Sequence, residues 1–366
     1  MQAGLVDTFR HPARTRGVAA WLVSGLLLVS YLLLYLGPIP VLGLHFDVFQ
    51  KLAEAVHVSS KWTLYGLLYT AAMVAGGAYF LRRHARNSPY QRVRTIVVVL
   101  VQIVFGFSLP LVMTVFGAHE YYFSYFWPLK LEYLSPGYIL HQPFLILAYS
   151  FLGSLVAFPL LAYFLGKRFY CSWICGCGGL ANTAGEPFRH LSDKSAASWR
   201  FERVSIHLVL FLSVLTTAIL WVNWAIGKQH PDFARFAFKV QDGYGFGIGA
   251  VFSGVIGVGL YPLMGTRVWC RFGCPMAAIL GLIQKFGRFR ISVKKDMCIA
   301  CGNCSTYCEM GIDVRQYAMA NQSFTRASCV GCGLCAQVCP RGVLRLENRP
   351  RRWAAGEPIR VYAVDL

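Results

Sequence analysis

Charge is scarce in this chain, and negative charge scarcest of all. Only 14% of its 366 residues are charged and 16 are Asp or Glu, where a soluble domain carries about 25% charged residues. No constellation of general acid, base and nucleophile stands out, so bond-making chemistry on an organic substrate is not expected. No basic patch on a soluble fold accompanies base-reading residues, which argues against nucleic acid as a partner. A cleavable signal peptide is not expected either. The first apolar run starts only at Val18 and is too long for a signal h-region.

What the chain has instead is apolar length. Hydrophobic residues make up 56% of it, and the mean hydropathy is +0.49. Six uncharged runs, near 18–36, 62–81, 95–116, 143–165, 204–226 and 245–265, approach or exceed the roughly 20 residues a bilayer span needs. The expected fold is a polytopic α-helical membrane protein of about six spans, with lipid as its surroundings. Within the runs the one histidine or charged residue is His207, a candidate for quinone contact or helix packing. Lys and Arg number 35, for a net charge of +19. They concentrate in alternate loops, including "RRHARNSPYQRVR", which puts both termini on the cytoplasmic side. The loop "HEYYFSYFWPLKLEYLSPGYILHQ", on the opposite side, fits an interfacial aromatic belt, or a surface for quinone or a partner.

Thirteen cysteines stand against this background. Eight form two runs, "CIACGNCSTYCE" and "CVGCGLCAQVCP", each spaced C-x2-C-x2-C-x3-C. This is the bacterial two-cluster ferredoxin pattern, in which the fourth cysteine of each run ligates the other cluster. One [4Fe-4S] cluster is therefore expected on Cys298, Cys301, Cys304 and Cys339. The other is expected on Cys308, Cys329, Cys332 and Cys335. Structural zinc also uses CxxC pairs, but it explains neither the third cysteine of each run nor the repetition. Glu309 stands where the pattern has proline, and is expected to put an acidic group near a cluster.

The remaining five cysteines lie beside the apolar runs, in "KRFYCSWICGC" and "TRVWCRFGC". Cys171 and Cys175 share an i,i+4 spacing with Cys270 and Cys274, which on a helix puts both thiols on one face. Each pair follows a basic residue at the end of an even-numbered run, as in a remote internal repeat. Together the pairs would offer four thiolates, with Cys177 a fifth. A further Fe–S cluster, Cu(I), zinc or a dithiol–disulfide couple would suit them. Palmitoylation or inert buried thiols are the plainer readings.

Between about 165 and 348 the chain resembles membrane polyferredoxins of the NapH, NosR, CcoG (FixG) and YccM-like kind. "CRFGCP", the dicluster tail and "MGIDVRQYA" carry the resemblance. It implies a bacterial inner-membrane protein moving electrons between a quinol pool or cytoplasmic donor and a redox partner, with metal handling as the alternative role. "CSWICGCGG" departs from the usual CxxxCP form. The expected organisation is a transmembrane domain over 1–266, holding the cysteine segment 171–177. A juxtamembrane segment with a surface-lying amphipathic helix follows over 267–295. A small α+β dicluster ferredoxin domain occupies 296–348, and a tail covers 349–366.

Overall fold

The computed structural model describes residues 16–36, 39–41, 44–58, 60–86, 88–117 and 120–349. The expected tail 349–366, beyond its first residue, and the basic residues before Arg16 lie outside them.

Five helices are long and apolar enough to cross a membrane: α1 Val18–Leu36, α2 Lys61–Arg83, α3 Pro89–Val115, α4 Phe144–Leu165 and α7 Ala196–Ile226. By length and composition this is a multi-pass membrane protein. The starts of three helices are written locally. Ser60, Ser88 and Ser195 accept hydrogen bonds from the N–H groups of Thr63, Gln91 and Ser198 at the heads of α2, α3 and α7, satisfying donors that have no partner inside the helix.

The sixth run is helical too, but not a regular α-helix: a helix at Pro231–Tyr244 runs on through a π-helical stretch, Gly245–Ile256, to Gly257–Gly259, and a short piece, Tyr261–Met264, follows. Six glycines between 245 and 259, then Pro262, weaken any regular helix there. Two of those glycines serve packing. A Cβ on Gly254 would lie 2.7 Å from the Tyr35 ring, and one on Gly259 2.8 Å from Leu28, so small residues let α1 approach closely.

The chain divides into two compact units. The first comprises the chain up to Ser124, with Ile174–Asp193 and Gly245–Cys270. It contains α1–α3 and the short helix α6, Gly176–Asn182. A β-hairpin pairs β1, Ile39–Val41, with β2, Leu44–Phe46. Met73, Leu180, Ala181 and Tyr261 form its core. A Cβ on Gly76 would fall 2.3 Å from the Ala184 nitrogen, so only glycine admits the segment after α6 against α2.

The second unit comprises Tyr125–Trp173, Lys194–Tyr244 and the chain from Arg271 on. It holds α4, α7 and the short helix α5, Arg168–Cys171. Beyond them come α9, Pro275–Phe286, and the sheet of β3, Phe289–Val293, antiparallel to β4, Leu344–Asn348. The juxtamembrane segment 267–295 is expected to carry a helix along the membrane surface. Instead α9 is buried on most sides, through Met276, Ala277, Leu280, Gly281 and Gln284 among others, and packs on α4 and α7. The "FRISV" later in the same segment is strand β3. Its Phe289 and Ile291 are each 1% exposed, so alternate residues of this stretch face the ferredoxin core.

The aromatic loop folds inward within the second unit. Phe126 packs 4.2 Å from the Phe158 ring of α4, and a Cβ on Gly153 would meet Phe126 at 2.2 Å. Trp127 donates to Thr217 of α7, and Trp221 donates to the Leu134 carbonyl, both at 2.9 Å. These rings are tied to helices rather than left facing an interface. The His119 that opens the loop lies outside the described residues.

Candidate metal centres

The two ferredoxin runs fold into loops of one shape. Ala300 and Gly302 take φ of 55° and 83°, and the equivalent Gly331 and Gly333 take 59° and 79°. Left-handed backbone two and four residues after the first cysteine curls each loop. A single helical turn follows, Asn303–Thr306 or Leu334–Gln337, and carries the third cysteine.

The fourth cysteines stand with the opposite runs. Cys298, Cys301 and Cys304 line one cavity together with Cys339, and Arg315 and Arg341 contribute to its walls. Burial pushes the Cys304 thiol up, and nearby Cys339 and Cys298 add to the shift. In the other group, burial pushes Cys329 up to about 12, with Cys332 and Cys308 adding to it. Cys335 is raised well above its usual value by burial and then by Cys332, Cys329 and Cys308. Without a metal these thiols hold their protons at neutral pH. The cationic iron–sulfide core of a cluster would take up such a crowded set of thiolates and offset the cost of burying them. Among the described residues no group of three or more His, Cys, Asp or Glu is drawn together tightly enough for one metal ion. A cubane distributes its thiolates over different irons and does not require that convergence. The donor sets fit [4Fe-4S] clusters.

The CxxxC pairs do not lie on continuous helices, so i,i+4 spacing does not put their thiols on one face. Cys171 ends α5, and Cys175 caps α6. Cys270 lies in the short helix α8, Val268–Phe272, and Cys274 caps α9, where its sulfur accepts from the Ala277 N–H at 3.4 Å. In both motifs the chain breaks between the cysteines, before a Gly or Pro opens the next helix. The second cysteine becomes the helix cap, where N–H groups and the dipole of the twelve-residue α9 favour a thiolate.

Cys175, Cys177 and Cys270 belong to the first unit, Cys171 and Cys274 to the second. In the first unit Arg267 donates to the Cys270 sulfur at 3.6 Å. The Cys177 side chain, the N–H groups of Gly178 and Cys177, and the Arg267 charge bring Cys175 down to about 7, against burial. The structure thus gathers the surplus cysteine, Cys177, beside Cys175 and near one guanidinium.

Several residues around these centres carry no motif and were missed. Gln102 lies in the π-helical stretch of α3 and donates to the Ile174 carbonyl at 2.5 Å, fixing the chain between Cys171 and Cys175. Gln284 of α9 accepts from the Lys167 N–H at 2.7 Å and donates to the Arg326 and Cys329 carbonyls, both at 2.9 Å. Ser172 donates to the Val330 carbonyl at 2.7 Å. One glutamine and one serine thus fasten the second ferredoxin run to the segment bearing Cys171. The one available signal was polar residues inside apolar stretches.

Gln284→Leu takes away the partner of the Lys167 N–H and of the Cys329 carbonyl, while the Arg326 carbonyl keeps the Cys329 N–H at 3.0 Å. Its expected cost is about 1–3 kcal/mol per orphaned group as an upper range, read as a fall in the denaturation midpoint of the loaded protein. Gly331→Ala is a second test. Its Cβ would stand 2.7 Å from Arg168 Cβ at positive φ. Overpacking and left-handed backbone together are expected to destabilise by about 2–4 kcal/mol, with earlier bleaching of the second cluster on heating.

His207 lies on α7 with a contact inside its own helix. Its Nδ1 lies 2.6 Å from the Arg203 carbonyl of its own helix.

Comparison with known proteins defines the class. Residues 291–346 match the 4Fe-4S dicluster domain family. Residues 147–195 and 246–294 each match one further family, the 4Fe-4S binding domain. That double match encloses both CxxxC motifs, as an internal repeat requires. With its membrane helices, this is a 4Fe-4S ferredoxin-type membrane protein.

It is related to the methylamine utilization ferredoxin-type protein MauN of Paracoccus denitrificans, at 30% identity over 46% of this chain and 61% of that protein. The putative electron transport protein YccM of Escherichia coli is 27% identical over 44% of this chain and 46% of its own length. The ferredoxin-type protein NapH of E. coli is 26% identical over 43% and 53%. The chain thus spans about half the length of the curated relatives it matches. No solved structure matches it.

Proposed function

We propose that this chain is a membrane-bound electron carrier, passing electrons between a soluble donor and a quinone or redox partner in a bacterial inner membrane. Cys298, Cys301, Cys304 and Cys339 would hold the first cluster, and Cys308, Cys329, Cys332 and Cys335 the second. When bound, each cluster supplies a one-electron couple. The protein's residues set exposure and spacing. Cys301 is exposed, which gives the first site an edge a soluble donor can reach. No cysteine of the second run is exposed, and the run is tied by its Val330 carbonyl to Ser172, the residue following Cys171. That hydrogen bond carries the proposal, because it links a ferredoxin run to the segment that matches the 4Fe-4S binding domain. Within the first unit, Cys175, Cys177 and Cys270 would hold a further Fe–S group.

Anaerobically reconstituted protein should bind about eight irons per chain for the two ferredoxin cubanes, and more with a cluster at the CxxxC segments. Low-temperature EPR should show two interacting reducible clusters. Iron well below eight, or clusters that stay unreduced at every accessible potential, would sink the reading.

A copper-reducing or copper-delivering factor is the rival, favoured by the thiols of Cys175 and Cys177 side by side. It requires copper binding that Cys175→Ser or Cys177→Ser abolishes while both ferredoxin signals remain.

A further inference from the structure

None of the four cysteines of the second site is exposed, whereas Cys301 of the first is, and shielding from water opposes adding an electron to an anionic cluster, since charge is poorly solvated away from water. Something must offset that penalty if the shielded site is to accept electrons. Lys167 is placed to do so. It is fully enclosed, at 0% exposure, and its Nζ meets no hydrogen-bond acceptor among the described residues. Its backbone N–H and the Cys329 carbonyl are bound to the same Gln284 side-chain amide. Its charge acts on the Cys329 thiol. A buried ammonium without a partner is costly. The anionic sulfurs of the second site are the neighbour that would compensate it.

Other charged residues also stand near that site, among them Arg168, whose stem packs against Gly331. Glu309 is buried and bears on Cys308, where the positive charge of Lys194 opposes it. At the first site, the arginines in the cavity wall stand beside the exposed Cys301, where water and salt screen them.

Resting on the two-cluster reading above, we propose that Lys167 is the fixed counter-charge of the second cluster, holding its potential high enough for the shielded site to be reduced. The residue makes no bond to the cluster. It acts through space, in a medium where one charge a few ångströms away is weakly screened. The reduced cluster carries one more negative charge than the oxidised one, so the positive charge favours reduction.

The test is a potentiometric EPR titration of the full-length reconstituted protein, with the exposed and shielded clusters told apart by a soluble paramagnetic relaxing agent. Lys167→Met should disfavour reduction of the shielded cluster at least tenfold, a downward shift of about 59 mV for one electron. The exposed cluster should stay where it is, and Lys167→Arg should restore most of the shift. Normal loading with unmoved potentials overturns the proposal, and so does an equal shift of both clusters. If Lys167→Met does not load the shielded cluster, Lys167→Gln makes the same charge change on a polar side chain. Loading in Lys167→Arg but in neither neutral variant supports the counter-charge. Loading at wild-type potential in Lys167→Gln overturns it. Failure of the two-cluster reading looks different, because the wild-type protein itself would then lack one of the two signals.

Discussion

Cys339→Ala should strip the cluster assigned to Cys298, Cys301 and Cys304 and spare the one assigned to the run in which Cys339 itself lies. The expected loss is about four irons per chain, one cubane. The cavity explains the result: Cys339 lines it with the three cysteines of the other run. The signal that disappears should be the one most broadened by a soluble relaxing agent, because Cys301 is exposed there. Cys308→Ala should give the reciprocal loss and leave the exposed signal. If each run ligated its own cluster, Cys339→Ala would remove the shielded signal instead, and the crossed assignment would be wrong.

Arg271→Met should be among the most destabilising single changes outside the ligands. Arg271 stands between Cys270 and Cys274. Its Nε meets Glu202 Oε2 of α7 at 2.6 Å, with both side chains less than 10% exposed. Breaking a buried pair by removing one partner leaves the other charge uncompensated, at a cost of about 3–5 kcal/mol. Stability in detergent, measured by denaturant titration, should fall by that amount. Because the uncompensated carboxylate causes the loss, Glu202→Leu combined with Arg271→Met should recover most of it. A double variant as unstable as the single one would show that the pair does more than neutralise itself.

Much of this chain could be read before folding. The spans follow from apolar length, and α2, α3 and α7 begin at serines that any cap rule would pick. The ferredoxin runs follow from spacing because a cubane fixes how far apart its thiolates stand. The π-winding of the glycine-rich sixth run was not legible, since hydropathy reports apolar length and not backbone regularity. The CxxxC pairs misled for a related reason. Spacing of four suits a helix face, but Gly176 and Pro275 each open a new helix, leaving the second cysteine as its cap.

The sequence by itself determined what this protein can bind and where it resides, because thiolate number, thiolate spacing and apolar length are local properties. Tertiary structure alone decided which groups surround those thiolates. Lys167, Ser172 and Gln284 lie 162, 158 and 45 residues from their partners near Cys329 and Val330 in the chain, or less. Electrostatic and hydrogen-bond terms depend on distance in space and on burial, and neither is written in any short stretch of residues.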